Sequence, residues 1–214
     1  MEDSVKYYPV SLDIRGRNCL VAGGGAVGAR KAKALIACGG LVTVVSPDLS
    51  GEMEKLSEQG LVKVFRRGYR TRDLAGMFLV ISAAGDAGIN EKISKDAAQR
   101  NILCNIVDRP KACSFVLPAV LRQKDLVIAV STSGKSPALA RRIKEELALR
   151  FGPEYGALLD ILGGVRKKLL SGPHAPDSHK VSFEALLDGG LLELLKAGDK
   201  KAIEALLAEV LGRR

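Results

Sequence analysis

Apolar residues in the first half of the chain fall into short runs separated by polar stretches of helical length. The runs are Cys19–Ala22, Leu41–Val45, Val62–Phe65, Phe78–Ile81 and Leu103–Val107, most of them rich in β-branched residues, as expected of strands buried on both faces. Between them, Ala26–Cys38 predicts a helix with Val27, Ala34, Leu35 and Cys38 on one face. Gly51–Gln59 predicts a polar helix, and Ile89, Ile93 and Ala97 share a face of a third. Strands alternating with helices predict an α/β fold built on a doubly wound parallel sheet.

After Val107 the alternation stops. Asp108-Arg109-Pro110-Lys111 reads as a loop at the carboxyl end of a strand, followed by Ser114–Pro118, a polar turn at Arg122–Asp125 and a strand at Leu126–Val130. Ser136 is placed to cap a helix that Pro137 opens and that runs to about Arg150, with Ala140, Ile143, Leu147 and Phe151 along one stripe. Arg141 with Glu145 and Arg142 with Glu146 stand at i,i+4 spacing. From Gly152 only helical patterns remain, broken by Ser171–His179, which reads as a loop.

The junction of the first strand and helix carries chemistry. Gly23-x-Gly25-x-x-Gly28 follows an apolar run and opens an alanine-rich helix, the order of a dinucleotide-binding Rossmann unit. One glycine makes the turn, one lets backbone approach a pyrophosphate, and one lets helix pack on sheet, while the helix N-terminus attracts the phosphates. Beyond the second strand stand Ser46-Pro47-Asp48. No arginine there would receive a 2′-phosphate, so NAD is favoured over NADP. Asp48 reads equally as a turn residue or as a ribose contact. Asp108 lies at the sheet edge where such folds bind ligands and could accept a proton as hydride leaves to NAD; the bland alternative is a cap for the Arg109-Pro110 turn. Ser133-Gly134-Lys135-Ser136 resembles a phosphate loop, but Ala129 stands where that pattern needs glycine. The loop can still bind a carboxylate.

The formal charge of +9 across 214 residues favours an anionic partner. The scarcity of aromatic residues and the scatter of the basic ones argue against nucleic acid. Cys19, Cys38, Cys104 and Cys113 form no metal-ligand spacing, and His174 and His179 sit in Pro/Gly-rich surroundings, so no residue is assigned to a metal. No leader-like or membrane-length apolar run is seen, and a cytoplasmic protein without membrane contact is expected.

The ordered segments resemble the siroheme synthase N-terminal family of precorrin-2 dehydrogenases, some of which are also sirohydrochlorin ferrochelatases. The carriers are Tyr8-Pro9-Val10 with Leu12, Val21–Lys31, Ala83–Asp86 with Asn90, Cys104–Asp108, Lys111–Pro118 and Ile128–Arg141. The resemblance implies NAD-dependent oxidation of precorrin-2 to sirohydrochlorin, with Asp108 as the catalytic carboxylate. It implies cofactor contacts at Gly23, Gly24, Gly25, Ala26, Val27, Gly28, Ser46, Pro47, Asp48, Ala83 and Ala84. The polycarboxylate tetrapyrrole would meet Asn105, Lys111, Ser114, Phe115, Ser133 and Lys135. It further implies a homodimer, with residues 1–113 as the NAD-binding domain, 114–150 as a small α+β dimerisation segment and 151–214 as a helical domain. Fe²⁺ or Co²⁺ would be a second substrate if the chain also chelates. The 214 residues end before the methyltransferase domain of some relatives, and the chain is expected not to make precorrin-2 itself. The competing reading is a regulatory NAD-sensing module without catalysis. Such modules usually carry an acidic residue where Ser46 stands.

Overall fold

The computed structural model describes residues 6–170 and 176–212, the side chains of 176–180 excepted. The chain divides into two compact units, one up to Leu117 and one from Pro118. The expected central segment, apart from residues 114–117, therefore falls in the same unit as the helical tail.

In the first unit, β1 (Asn18–Gly24), β2 (Leu41–Leu49), β3 (Val62–Phe65), β4 (Leu79–Ser82) and β5 (Leu103–Ile106) form a five-stranded sheet in the order β3-β2-β1-β4-β5. Every pairing is parallel. Cys19, Val21, Val44 and Ile81 turn to one face, where α1 (Ala26–Ala37) and α2 (Gly51–Glu58) cover them. Leu20, Ala22, Val80 and Ile106 turn to the other, covered by α3 (Ala87–Ala98). Burial on both faces is why the central strands β1 and β4 are apolar over Cys19–Ala22 and Leu79–Ile81, whereas the edge strand β3 exposes Lys63 and Phe65. Chain order reverses between β1 and β4, so the crevice of the fold opens at their carboxyl ends.

Two local expectations change. The buried stripe of α1 is Gly28, Ala29, Ala32 and Leu35, while Ala34 and Cys38 are exposed. Small residues form that stripe because α1 lies close on the sheet, and a search for large apolar side chains misses it. Strand β2 continues past Val45 to Leu49, with a register shift that pairs Gly24 with Leu49. No helix joins β3 to β4; a 3₁₀ turn at Thr71–Leu74 does so.

That connection is pinned by Asp73, whose carboxylate accepts both guanidinium N–H groups of Arg67 at 2.7 Å and the Arg70 backbone N–H at 2.8 Å. Arg67 holds the Asp73 carboxyl below its ordinary value. A depressed folded-state value means that the contribution is present above the unfolded value and is lost as pH falls. We expect Asp73→Asn to lower stability at pH 7 by about 1–3 kcal/mol in urea unfolding, because the nearly buried pair loses its charge-assisted fork. The difference from the parent should shrink below about pH 4.

In the second unit, β6 (Ala119–Gln123) and β7 (Leu126–Val130) form an antiparallel hairpin. The polar turn is therefore confined to Lys124-Asp125, and Arg122, expected within it, sits in β6. Four helices follow α4 (Pro137–Arg150): α5 (Glu154–Leu170), α6 (Pro176–Asp188), α7 (Leu191–Ala197) and α8 (Lys200–Gly212). Ser136 caps α4 through Leu139 N–H, and both expected Arg–Glu pairs form. Leu158, Val165, Leu169, Leu186, Leu191 and Val210 make the core of the helical part. Pro176 opens α6, so the last part of the expected Ser171–His179 loop is helix; 171–175, with His174, lie outside the described residues. Among the described residues no helix is long and apolar enough to cross a membrane.

Candidate functional site

The site begins where β1 turns into α1. Gly23 adopts φ +114°, and a Cβ there would lie 2.5 Å from the Ala83 carbonyl oxygen. A Cβ on Gly28 would come within 2.0 Å of the Gly23 carbonyl oxygen, so the first turn of α1 rests directly on the glycine turn. Gly25 differs: a Cβ there would meet nothing within 4 Å, because the space above it is the crevice.

Gly25 is also the N-cap of α1, with no side chain to bond the free N–H groups and no acidic residue in the first turn. By contrast α2, α3 and α4 are capped by Ser50, Asp86 and Ser136. The N–H groups at Ala26 and Val27 are thus left for an anion, and the helix dipole favours one. These residues fit a dinucleotide pyrophosphate.

The crevice has a volume of about 530 Å³ and is walled by Ala22–Gly25, Val45–Ser50, Gly68-Tyr69, Ala83–Asp86 and Ile89. The extension of β2 puts Asp48 among the strand's last residues, exposed into this space. Ser46 is buried, and its hydroxyl donates to the Asp48 carbonyl oxygen at 2.7 Å, shaping the strand end. Across the crevice, Ser82 Oγ donates to Asn90 Oδ1 at 2.6 Å and Asn90 Nδ2 donates to the Ala84 carbonyl at 3.0 Å. That buried pair fixes the loop carrying Ala83 and Ala84. The wall contains the carboxylates Asp48 and Asp86 and no arginine or lysine.

Sequence reasoning missed Tyr69. Its hydroxyl donates to Asp96 at 2.9 Å, and burial, reinforced by Asp96, pushes it above its ordinary value, so it is a neutral wall of the crevice. No spacing marks it, because it lies in the irregular β3–β4 connection.

Asp108 lies on the same sheet edge, beyond β5 and outside the crevice wall. The Val107 N–H donates to the Ser82 carbonyl at 2.9 Å, which anchors this segment beside β4. Asp108 itself adopts φ +60°, in the left-handed region that few non-glycine residues occupy. Arg109, not Asp108, starts the following 3₁₀ turn (Pro110–Ala112). The Asp108 side chain is exposed and has no hydrogen bond or ion pair among the described residues, so it does not act as a cap for that turn.

The expected neighbours of Asp108 divide into two kinds. Asn105 is buried and donates to the Phe115 carbonyl at 3.0 Å, and Ser114 Oγ accepts the Cys104 N–H at 2.7 Å. The Cys113 thiol accepts the Ile106 N–H at 3.1 Å. Phe115 packs against the core. These four frame the loop, while Asp108 and Lys111 point outward from it. Burial pushes the Cys104 thiol up to about 11 and raises that of Cys113, so both stay neutral at pH 7.

Ser133 and Lys135 belong to the second unit, in the loop from β7 to α4. There Ser133 adopts φ +52°, and Thr132 Oγ1 accepts the Ser136 N–H at 3.1 Å. Lys135 is exposed. Among the described residues no group of three or more His, Cys, Asp or Glu converges to hold a metal ion.

Residues 10–119, just over half of the chain, match the family described as putative NAD(P)-binding, and 123–148 match the one described as sirohaem biosynthesis protein central. The chain is 36% identical to a siroheme synthase of Pseudomonas putida over 201 residues, covering 94% of this chain and 43% of that protein. A siroheme synthase of Nitrosospira multiformis is likewise 36% identical over 207 residues, covering 95% and 44%. The chain thus spans less than half the length of these curated relatives. Among solved structures it superimposes on SirC, a precorrin-2 dehydrogenase, with a TM-score of 0.81 and 25% identity, covering 96% of this chain and 100% of that one. The chain belongs to the NAD(P)-binding family that its residues 10–119 match.

Proposed function

We propose that this NAD(P)-binding family member is a precorrin-2 dehydrogenase that uses NAD⁺ to form sirohydrochlorin. The observation that carries the reading is an unpartnered carboxylate, Asp108, held in a left-handed turn on the same sheet edge as an uncapped glycine-turn helix. The likeness to SirC over nearly the whole chain supports it, and the sensing-module alternative gains no support from any of these relatives. The conversion removes two hydrogens from precorrin-2, one as hydride and one as a proton. Bound NAD⁺ supplies the hydride acceptor. Gly25, Ala26 and Val27 hold the pyrophosphate, and Asp48 holds the adenosine ribose. Asp48 and Asp86 would repel a 2′-phosphate, which favours NAD over NADP. Asp108 accepts the proton.

The substrate bears eight carboxylates, and the charge of +9 supplies the attraction, with Lys111, in the same loop as Asp108, as a contact. In this reading Asn105, Ser114 and Phe115 support the substrate site by framing the Asp108 loop. A test incubates the protein anaerobically with precorrin-2, with and without NAD⁺, and follows the spectrum. Sirohydrochlorin should form only with NAD⁺; its absence, or its formation without NAD⁺, contradicts the reading. Adding Fe²⁺ or Co²⁺ to the product then tests whether metal insertion is a second activity.

The homodimer is part of the same proposal. Val120 lies opposite Ala129 and Arg122 opposite Val127 on the outer hairpin face, where Val120 and Val127 are 44% and 45% exposed. Such a small sheet with free edges invites pairing. Replacing Val120 and Val127 together by Lys should convert a dimer to a monomer in sedimentation velocity.

A further inference from the structure

Lys31 has no assigned role, yet its position is unusual for a lysine. It lies in the second turn of α1, half-buried, and makes no hydrogen bond or ion pair with any described residue. Withdrawing an ammonium from water without a partner is costly, so the partner is to be sought outside the chain.

The rotation of α1 decides which way Lys31 faces. Lys33 pairs with Glu52 of α2 at 2.7 Å, which turns that flank of α1 towards β2 and β3. Lys31 stands about 200° back round the helix and so faces the opposite way, towards β4 and β5. On that side Val107 and Phe115 pack against the core cluster that includes Ala29 and Ala32 of α1. Helical side chains lean towards the helix N-terminus, which here means towards the carboxyl edge of the sheet and Asp108. The electrostatics agree. Burial, helped by Arg30, lowers the Lys31 ammonium from its ordinary value, while the Asp108 carboxylate acts to raise it. Lys31 and Asp108 nevertheless make no ion pair with each other, so each charge is left for a ligand.

We propose that Lys31 is a substrate-binding residue that takes a carboxylate of the ligand beside Asp108. Its Cα lies roughly 7 Å along the helix from the phosphate-binding Ala26, and its flank is the one nearer β5, so the anion is the substrate's rather than the cofactor's. A fixed cation there would orient the macrocycle edge that Asp108 deprotonates. This inference rests on the dehydrogenase reading for the identity of the substrate.

The test uses the full chain saturated with NAD⁺ and uroporphyrin, an eight-carboxylate porphyrin, as an unreactive probe. Lys31→Met should weaken uroporphyrin binding about 10- to 100-fold in a fluorescence titration, the loss expected for one charge-assisted contact. It should raise KM for precorrin-2 more than it lowers kcat. Its affinity for NAD⁺ should match the parent, its thermal midpoint should equal or exceed the parent's because a half-buried charge is removed, and Lys31→Arg should recover most of the lost affinity. Parental uroporphyrin binding by Lys31→Met, or an equal loss of NAD⁺ affinity, would overturn the proposal. Lys31-dependent binding in a protein that fails to oxidise precorrin-2 would uphold the role of Lys31 and sink the dehydrogenase reading instead.

Discussion

Asp108→Asn should lower turnover of precorrin-2 about 10²- to 10⁴-fold while leaving NAD⁺ affinity and folding near parental values. Asparagine is the informative replacement because Asp108 sits at φ +60°, a conformation that Asn tolerates and that most residues do not. It keeps the turn and the shape, and removes only the capacity to take a proton. Asp108→Ala should lose the same activity and also about 1 kcal/mol of stability, the cost of an alanine in the left-handed region. The side chain caps nothing in the resting fold, so a loss of activity cannot be traced to a lost structural bond. An Asn variant with ordinary turnover would remove Asp108 from the mechanism.

Gly28→Ala should have the largest effect on the fold. The added Cβ would stand 2.0 Å from the Gly23 carbonyl oxygen, and the obstacle is backbone rather than a side chain that can swing aside. The start of α1 must lift from β1, at a cost of about 2–4 kcal/mol, and dinucleotide binding should be lost with it. Gly25→Ala provides the contrast. Its Cβ would touch no protein atom, so the thermal midpoint should hold, while NAD⁺ affinity falls because the methyl group occupies the space a phosphate needs. Calorimetric unfolding and NAD⁺ titration of both variants separate the two roles. Equal behaviour of the two would refute the division between packing and cofactor glycines.

The centre of the sheet was legible because burial on both faces leaves uninterrupted apolar runs, as at Cys19–Ala22 and Leu79–Ile81. The cap at Ser136 with Pro137 behind it was legible for an equally local reason. What could not be read depends on neighbours distant in sequence. The end of β2 at Leu49 exists because Leu49 pairs with Gly24, and that pairing alters the standing of Asp48. The stripe of small residues on α1 reflects how closely the helix approaches the sheet. At the site, the sequence marked Asp108 and the glycine turn. Only the three-dimensional arrangement shows that Asn105 and Ser114 frame the loop and that Tyr69 walls the crevice.

The central claim is that the glycine turn and Asp108 serve one redox reaction on a tetrapyrrole. Its most direct test is an anaerobic stoichiometry. Precorrin-2 and NAD⁺ are mixed with the protein, and NADH and sirohydrochlorin are quantified together. Equal amounts of NADH and sirohydrochlorin, both abolished in Asp108→Asn, are predicted; sirohydrochlorin without matching NADH, or neither product from the parent protein, would contradict the claim.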